Sequence, residues 1–149
     1  MDQIGAIGAV SPGKPLAPEQ ERIVEKLAAR DRDVRAHEAA HLAVAGALAN
    51  GVQYTYELGP DGKLYAIAGD VKITVPGGLS PEQELADARQ LRAAAEAPSD
   101  PSGQDMTVAS QANEMEAEAL AEIAKQKAPP AGGEAGHPNA HFQGLDRTA

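Results

Sequence analysis

Arg35-Ala36-His37-Glu38-Ala39-Ala40-His41 stands in the middle of a long helical run, and the reading of this stretch decides the rest. Ile23, Leu27, Arg30, Val34, His37, His41, Val44 and Leu48 recur at spacings of four and three, which draws a single stripe along one helix. The stripe is apolar except at Arg30 and the two histidines, so both imidazoles are expected on the packed face. Burying two imidazoles without partners is costly. Positions i and i+4 lie nearly above one another on a helix, so a shared Zn²⁺ would satisfy both rings. The intervening Glu38 would then project beside the ion, where it can take a proton from water. The competing interpretation is two core histidines bonded to backbone or carboxylate groups.

Composition bounds what surrounds this helix. Leu, Ile, Val and Phe supply 26 of the 149 residues, and alanine inflates the 42% hydrophobic content. With a net charge of -9, this predicts a small core of close-packed helices flanked by disordered ends. An acidic chain repels phosphates, which argues against nucleic acid as a partner. No cysteine is present, so disulfides and thiolate ligands are excluded and any zinc must be held by His, Asp or Glu. No apolar run is long enough to span a membrane, and the N-terminus lacks the basic and apolar regions of a secretory signal. The expected location is the cytoplasm.

Along the chain, residues 1–18 are rich in Gly, Pro and Ala without a period and read as a flexible leader. The expected domain covers residues 19–127. Helix 1 begins near Pro18-Glu19 and runs to about Ala49, with Asn50-Gly51 as its terminator. Val52–Leu58 and Lys63–Val75 read as two strands joined by Gly59-Pro60-Asp61-Gly62, a hairpin. Ser80-Pro81-Glu82-Gln83 opens a second helix with a capping box, and its inward stripe is Leu85, Ala88, Leu91 and Ala95. Ser102 with Asp105 three residues on opens a third, running to about Lys127, with Val108, Ala112, Met115, Ala119 and Ile123 inward. Residues 128–149 read as a disordered tail. His137 and His141 in that tail are also four apart, but Pro138 lies between them and no helical pattern surrounds them.

A catalytic zinc usually takes three protein ligands and leaves one position open. The extended pattern that would place a third histidine just downstream is absent, because positions 44, 47 and 48 are Val, Ala and Leu. Two carboxylates are candidates. Glu116 flanks the apolar stripe of the third helix. Asp70 follows Gly69 in the return strand, where a bulge could redirect its side chain. Tyr54, Tyr56 and Tyr65 all fall in the hairpin, where one could stabilise an oxyanion or simply pack.

Arg35-Ala36-His37-Glu38-Ala39-Ala40-His41, Tyr54-Thr55-Tyr56, Gly59-Pro60-Asp61-Gly62-Lys63, Tyr65-Ala66 and Gly69-Asp70-Val71 occur in this order, followed by residues 98–105 and Val108-Ala109. Together they resemble the SprA-related family of bacterial metallopeptidases, over residues 27–123. The resemblance implies a zincin-like peptidase with His37 and His41 as zinc ligands and Glu38 as base. The family's activity is itself inferred largely from the motif. Its pattern has Gly-Glu where this chain has Gly69-Asp70, and glutamate is usual at the place of Glu116, which favours Glu116 as third ligand.

The expectation is therefore an α+β domain: a long HExxH helix, a β-hairpin and two further helices between disordered tails. Its expected activity is zinc-dependent hydrolysis of a peptide or protein substrate. The alternative is a non-catalytic helical binding or scaffold protein, with a structural zinc or no metal. Arg35 and Asp33 are expected to form surface ion pairs, or to orient the site from outside the ligand shell.

Overall fold

The computed structural model describes residues 14–130. Residues 1–13 of the expected leader and 131–149 of the expected tail, with His137 and His141, lie outside the described residues. Three helices and one antiparallel hairpin follow in the order α1 (Pro18–Ala45), β1 (Ala49–Leu58), β2 (Leu64–Ile73), α2 (Pro81–Ala95) and α3 (Gly103–Lys127). The architecture is α+β, as the sequence pattern implies. Among the described residues no helix is long and apolar enough to cross a membrane.

Helix α1 starts at Pro18 with Glu19 and Glu21 in its first turn, where the positive end of the helix dipole favours acids. It stops four residues earlier than expected. Gly46 takes a positive φ of 53° and ends the helix, and a short 3₁₀ turn over Gly46–Leu48 leads into β1. Gly46 is thus a terminator, because glycine alone enters this region without a Cβ penalty. Asn50 and Gly51 belong instead to β1. Between the pairs Ala49–Ile73 and Val52–Val71 the β1 side carries one residue more than the β2 side, and Gly51 absorbs the bulge at φ 106°.

A second bulge bends β2. Thr55 pairs with Ala68 and Tyr56 with Ala66, which leaves Ile67 unmatched. The irregularity therefore lies at Ile67 and not at Asp70, which pairs regularly with Gln53. Helix α1 takes up the backbone groups around it. Arg30 Nε donates to the Ile67 carbonyl at 2.7 Å, and the Ala66 N–H donates to Asp31 Oδ1 at 2.8 Å. Two adjacent helix residues thereby fix where the strand crosses α1.

The packed face of α1 is rotated slightly from the stripe read in the sequence. Leu27, Glu38, His41 and Ala45 are buried, and Leu48 follows them, whereas Ile23 and Val44 are exposed. The reason is that β2 covers one flank of α1 and α2 covers another, so the centre of burial passes through Glu38.

Helices α2 and α3 form an antiparallel pair. Ser80 accepts from the Gln83 N–H, and Ser102 Oγ accepts from the Asp105 N–H at 3.1 Å, so both helices begin where the capping pattern places them. Their buried apolar residues are nearly all alanines: Ala88, Ala94 and Ala95 from α2, with Leu91, and Ala109, Ala112 and Ala119 from α3. Small side chains let the helix backbones approach closely. A methyl-lined seam has little spare volume, so enlarging one of these residues should cost about 1–3 kcal/mol.

Candidate metal centre

The rings of His37 and His41 lie one turn apart on α1 with centroids 4.8 Å apart and an interplanar angle of 79°. Their Nε2 atoms are 3.2 Å apart. His41 is 5% exposed, and its Nδ1 lies 2.7 Å from the Ala94 carbonyl oxygen at the end of α2. A carbonyl only accepts, so Nδ1 carries the proton and a neutral His41 ring turns a lone pair on Nε2 toward His37.

The carboxylate that meets these rings is Asp105, in the first turn of α3. Asp105 Oδ2 lies 3.2 Å from His37 Nε2, and Oδ1 lies 3.3 Å from His41 Nε2. One atom from each of the three residues falls within 4.8 Å of the others. The carboxylate is also locked in place, because Oδ2 accepts the Ser102 N–H at 2.7 Å. Burial pushes the Asp105 carboxyl up, but the Ser102 hydrogen bonds and the imidazoles outweigh it and hold the group below the usual range.

The consequence is a close pair of acceptors. His41 Nε2 faces Asp105 Oδ1 with lone pairs on both atoms. A single proton on His37 Nε2 can serve Asp105 or His41 but leaves one close acceptor pair uncompensated. A proton on His41 Nε2 would relieve this pair, and so would a metal ion held by the three residues.

Glu38 is 4% exposed and lies against Gly69 of β2. A Cβ built on Gly69 would stand 2.6 Å from Glu38 Cγ and 2.7 Å from Oε1. The Gly at this point is what lets the carboxyl lie between helix and strand. Burial pushes the Glu38 carboxyl up, with the negative charges of Asp105 and Asp70 adding to it, while the two histidines act in the opposite direction. Gly69→Ala is expected to lower stability by about 1–3 kcal/mol, because Glu38 must leave its rotamer or the strand must move. A urea midpoint measured against the wild type checks it.

These groups line an open cleft of about 930 Å³. Its floor is α1 from Arg30 to His41, one wall is the edge of β2 from Ile67 onward, and the other is the start of α3.

Of the residues expected from the sequence, His37, Glu38 and His41 come together here. Asp70 lines the same cleft as an exposed side chain and is not among the three converging donors. Glu116 is elsewhere. It accepts from Arg89 Nε and Arg92 Nη1 of α2, both at 2.8 Å, and so ties α2 to α3. Eleven residues separate it from Asp105, about 16 Å along a helix axis, so the two cannot share an ion. Asp33 also lines the cleft, and Arg35 pairs with Asp31 at 3.1 Å and stacks over Tyr54 at 5.0 Å.

The Arg89 guanidinium, and then Arg92, holds the Glu116 carboxyl below the ordinary carboxylate range. Its stabilising effect is therefore complete above the unfolded value, near pH 4.3, and is lost as pH falls through the lower folded value. Glu116→Gln should lower Tm at neutral pH, and the gap to wild type should close on acidification.

The sequence pattern does not single out Asp105 as a neighbour of the two histidines, because its capping signal already gives it a role. A capping carboxylate has two oxygens, and the three-residue spacing from Ser102 reveals only the local bond. Comparison with known proteins gives one finding. No curated protein and no solved structure matches the chain. A family model, the SprA-related family, matches residues 14–130, more than three quarters of the sequence, and the chain belongs to that family.

Proposed function

We propose that the protein is a zinc-dependent peptidase in which His37, His41 and Asp105 hold the metal and Glu38 moves the proton. The observation that carries this reading is the convergence of two imidazole Nε2 atoms and a carboxylate beside a buried glutamate in an open cleft. The two imidazole Nε2 atoms are 3.2 Å apart, each lies 3.2–3.3 Å from a different oxygen of Asp105, and one atom from each residue falls within 4.8 Å of the others, close enough for a small adjustment to bring all three onto one ion. The donor set is borderline and hard, without thiolate, which suits zinc. When bound, the ion would supply positive charge that polarises a carbonyl and acidifies water.

The chain's own residues would do the rest. The Ala94 carbonyl fixes the His41 ring and its tautomer. Ser102 orients the Asp105 carboxylate. Glu38 accepts a proton from the attacking water and returns it to the departing amine. The substrate would lie extended along the edge of β2, where backbone groups beyond the Ile67 bulge border the cleft. A purely structural ion in a binding module is the weaker reading, because the donors open onto a cleft large enough for a peptide.

Metal analysis of the purified full chain is the test, joined to cleavage of a quenched fluorescent peptide library. Stoichiometric zinc, with cleavage lost on chelation and restored by zinc, is the expected result. Folded protein that carries no transition metal and takes none up on titration would remove the basis of the reading.

A further inference from the structure

The hairpin has two edges, and only one borders the cleft. The sheet contains β1 and β2 alone, so the outer edge of β1 pairs with no strand among the described residues. Its backbone phase can be read from neighbouring bonds. The Gly59 N–H donates to the Lys63 carbonyl, so Gly59 faces β2. By alternation, Leu58, Tyr56, Tyr54 and Val52 point their N–H and C=O groups outward. The opposite strand agrees: Ala66, which pairs with Tyr56, sends its N–H away from β1 to Asp31.

This edge lacks the basic and proline residues that commonly protect one. Ala49–Leu58 reads ANGVQYTYEL, with no lysine, arginine or proline and one charge, Glu57. Tyr56 and Leu58 are 47% and 59% exposed. From Val52 to Leu58, beyond the bulge at Asn50-Gly51, β1 itself carries no inserted residue, since the extra residue of the second bulge, Ile67, lies on β2; the midpoint of this stretch is Thr55.

We infer that a second copy of this chain pairs its β1 antiparallel to the first, with the two-fold axis through Thr55. The two hairpins then form one four-stranded sheet. This register keeps the outward backbone groups in phase, because Tyr54 meets Tyr56 and Val52 meets Leu58. Aromatic and branched pairs of this kind favour strand association. It is also compatible in charge. Each Glu57 stands opposite Gln53 of the other copy, so no like charges oppose across the junction, although the chain as a whole carries -9. The interface is isologous and closes on itself, which limits assembly through this edge to a dimer.

Sedimentation equilibrium of the full chain should give twice 15.4 kDa at high concentration. Gln53→Glu sets like charges opposite at two places and should raise the dimer dissociation constant roughly three- to tenfold, while Gln53→Lys should lower it by a similar factor. Both side chains are exposed in the single chain, so folding is not at stake. Ser110→Glu, the same charge change on α3, should leave the constant unaltered. The chain has no cysteine, so Thr55→Cys should cross-link at the axis on mild oxidation, where Cα atoms of facing residues are about 4.5 Å apart, and Gln53→Cys should not. A monomer at every concentration overturns the inference. So does a dimer indifferent to the charge at position 53, or one cross-linked equally well from both positions.

Discussion

Glu38→Gln should keep its metal and its fold while peptide hydrolysis falls about 10²–10⁴-fold, the usual worth of a positioned proton carrier. The substitution suits this site for steric reasons. Glutamine has the same heavy-atom shape as glutamate, so it fits the narrow space against Gly69, where an added Cβ would already stand 2.6 Å from the side chain. What it removes is the ability to take up a proton from water. Glu38 is not among the three converging donors, so metal content should stay at the wild-type level. Thermal unfolding should differ little, because the buried charge is replaced by a neutral group of equal volume. Metal analysis, circular dichroism and library cleavage on one preparation give the whole comparison. Wild-type turnover in the variant would eliminate Glu38 as the base.

Asp105→Ala should have the larger effect on metal, with zinc affinity falling by at least about 100-fold, since even partners outside the ligand shell are worth 10–100-fold. The change also removes the Ser102–Asp105 capping box, and two controls separate these consequences. Ser102→Ala deletes the cap hydroxyl and should cost about 1 kcal/mol of stability with a much smaller loss of affinity. Glu116→Ala breaks the bonds to Arg89 and Arg92 on α2 and should leave zinc binding intact. Isothermal titration with zinc, beside denaturant midpoints, reads both quantities. If Asp105→Ala bound zinc as the wild type does and Glu116→Ala did not, the ligand assignment would be reversed.

The contrast between these two carboxylates shows what the sequence could convey. The paired histidines, the hairpin turn and the starts of α2 and α3 were legible because each depends on residues a few positions apart. The end of α1 was misplaced, since both Gly46 and Gly51 can hold a positive φ and local pattern does not rank them. Periodicity put Glu116 on the flank of the α3 stripe, which is where it lies. Its partners, Arg89 and Arg92, come from α2, and the stripe of α3 carries no information about them. Asp105 approaches His37 and His41 only after the α2–α3 turn sets the third helix across the first. A contact over 64 or 68 residues is a property of the packing angle. Likewise, Gly69 could be read as a possible bulge, but the need for a hydrogen at that position arises from Glu38 on another element.

The methyl-lined seam between α2 and α3 has a mechanical implication. Ala94 carries the carbonyl that steadies His41, and Asp105 leads the helix on the far side of the same seam. The paired helices therefore act as a caliper whose tips, a carbonyl and a carboxylate, both reach His41. A wedge driven in at Ala112 or Ala119, well away from the imidazoles, would be transmitted along a stiff rod and appear as a displaced tip.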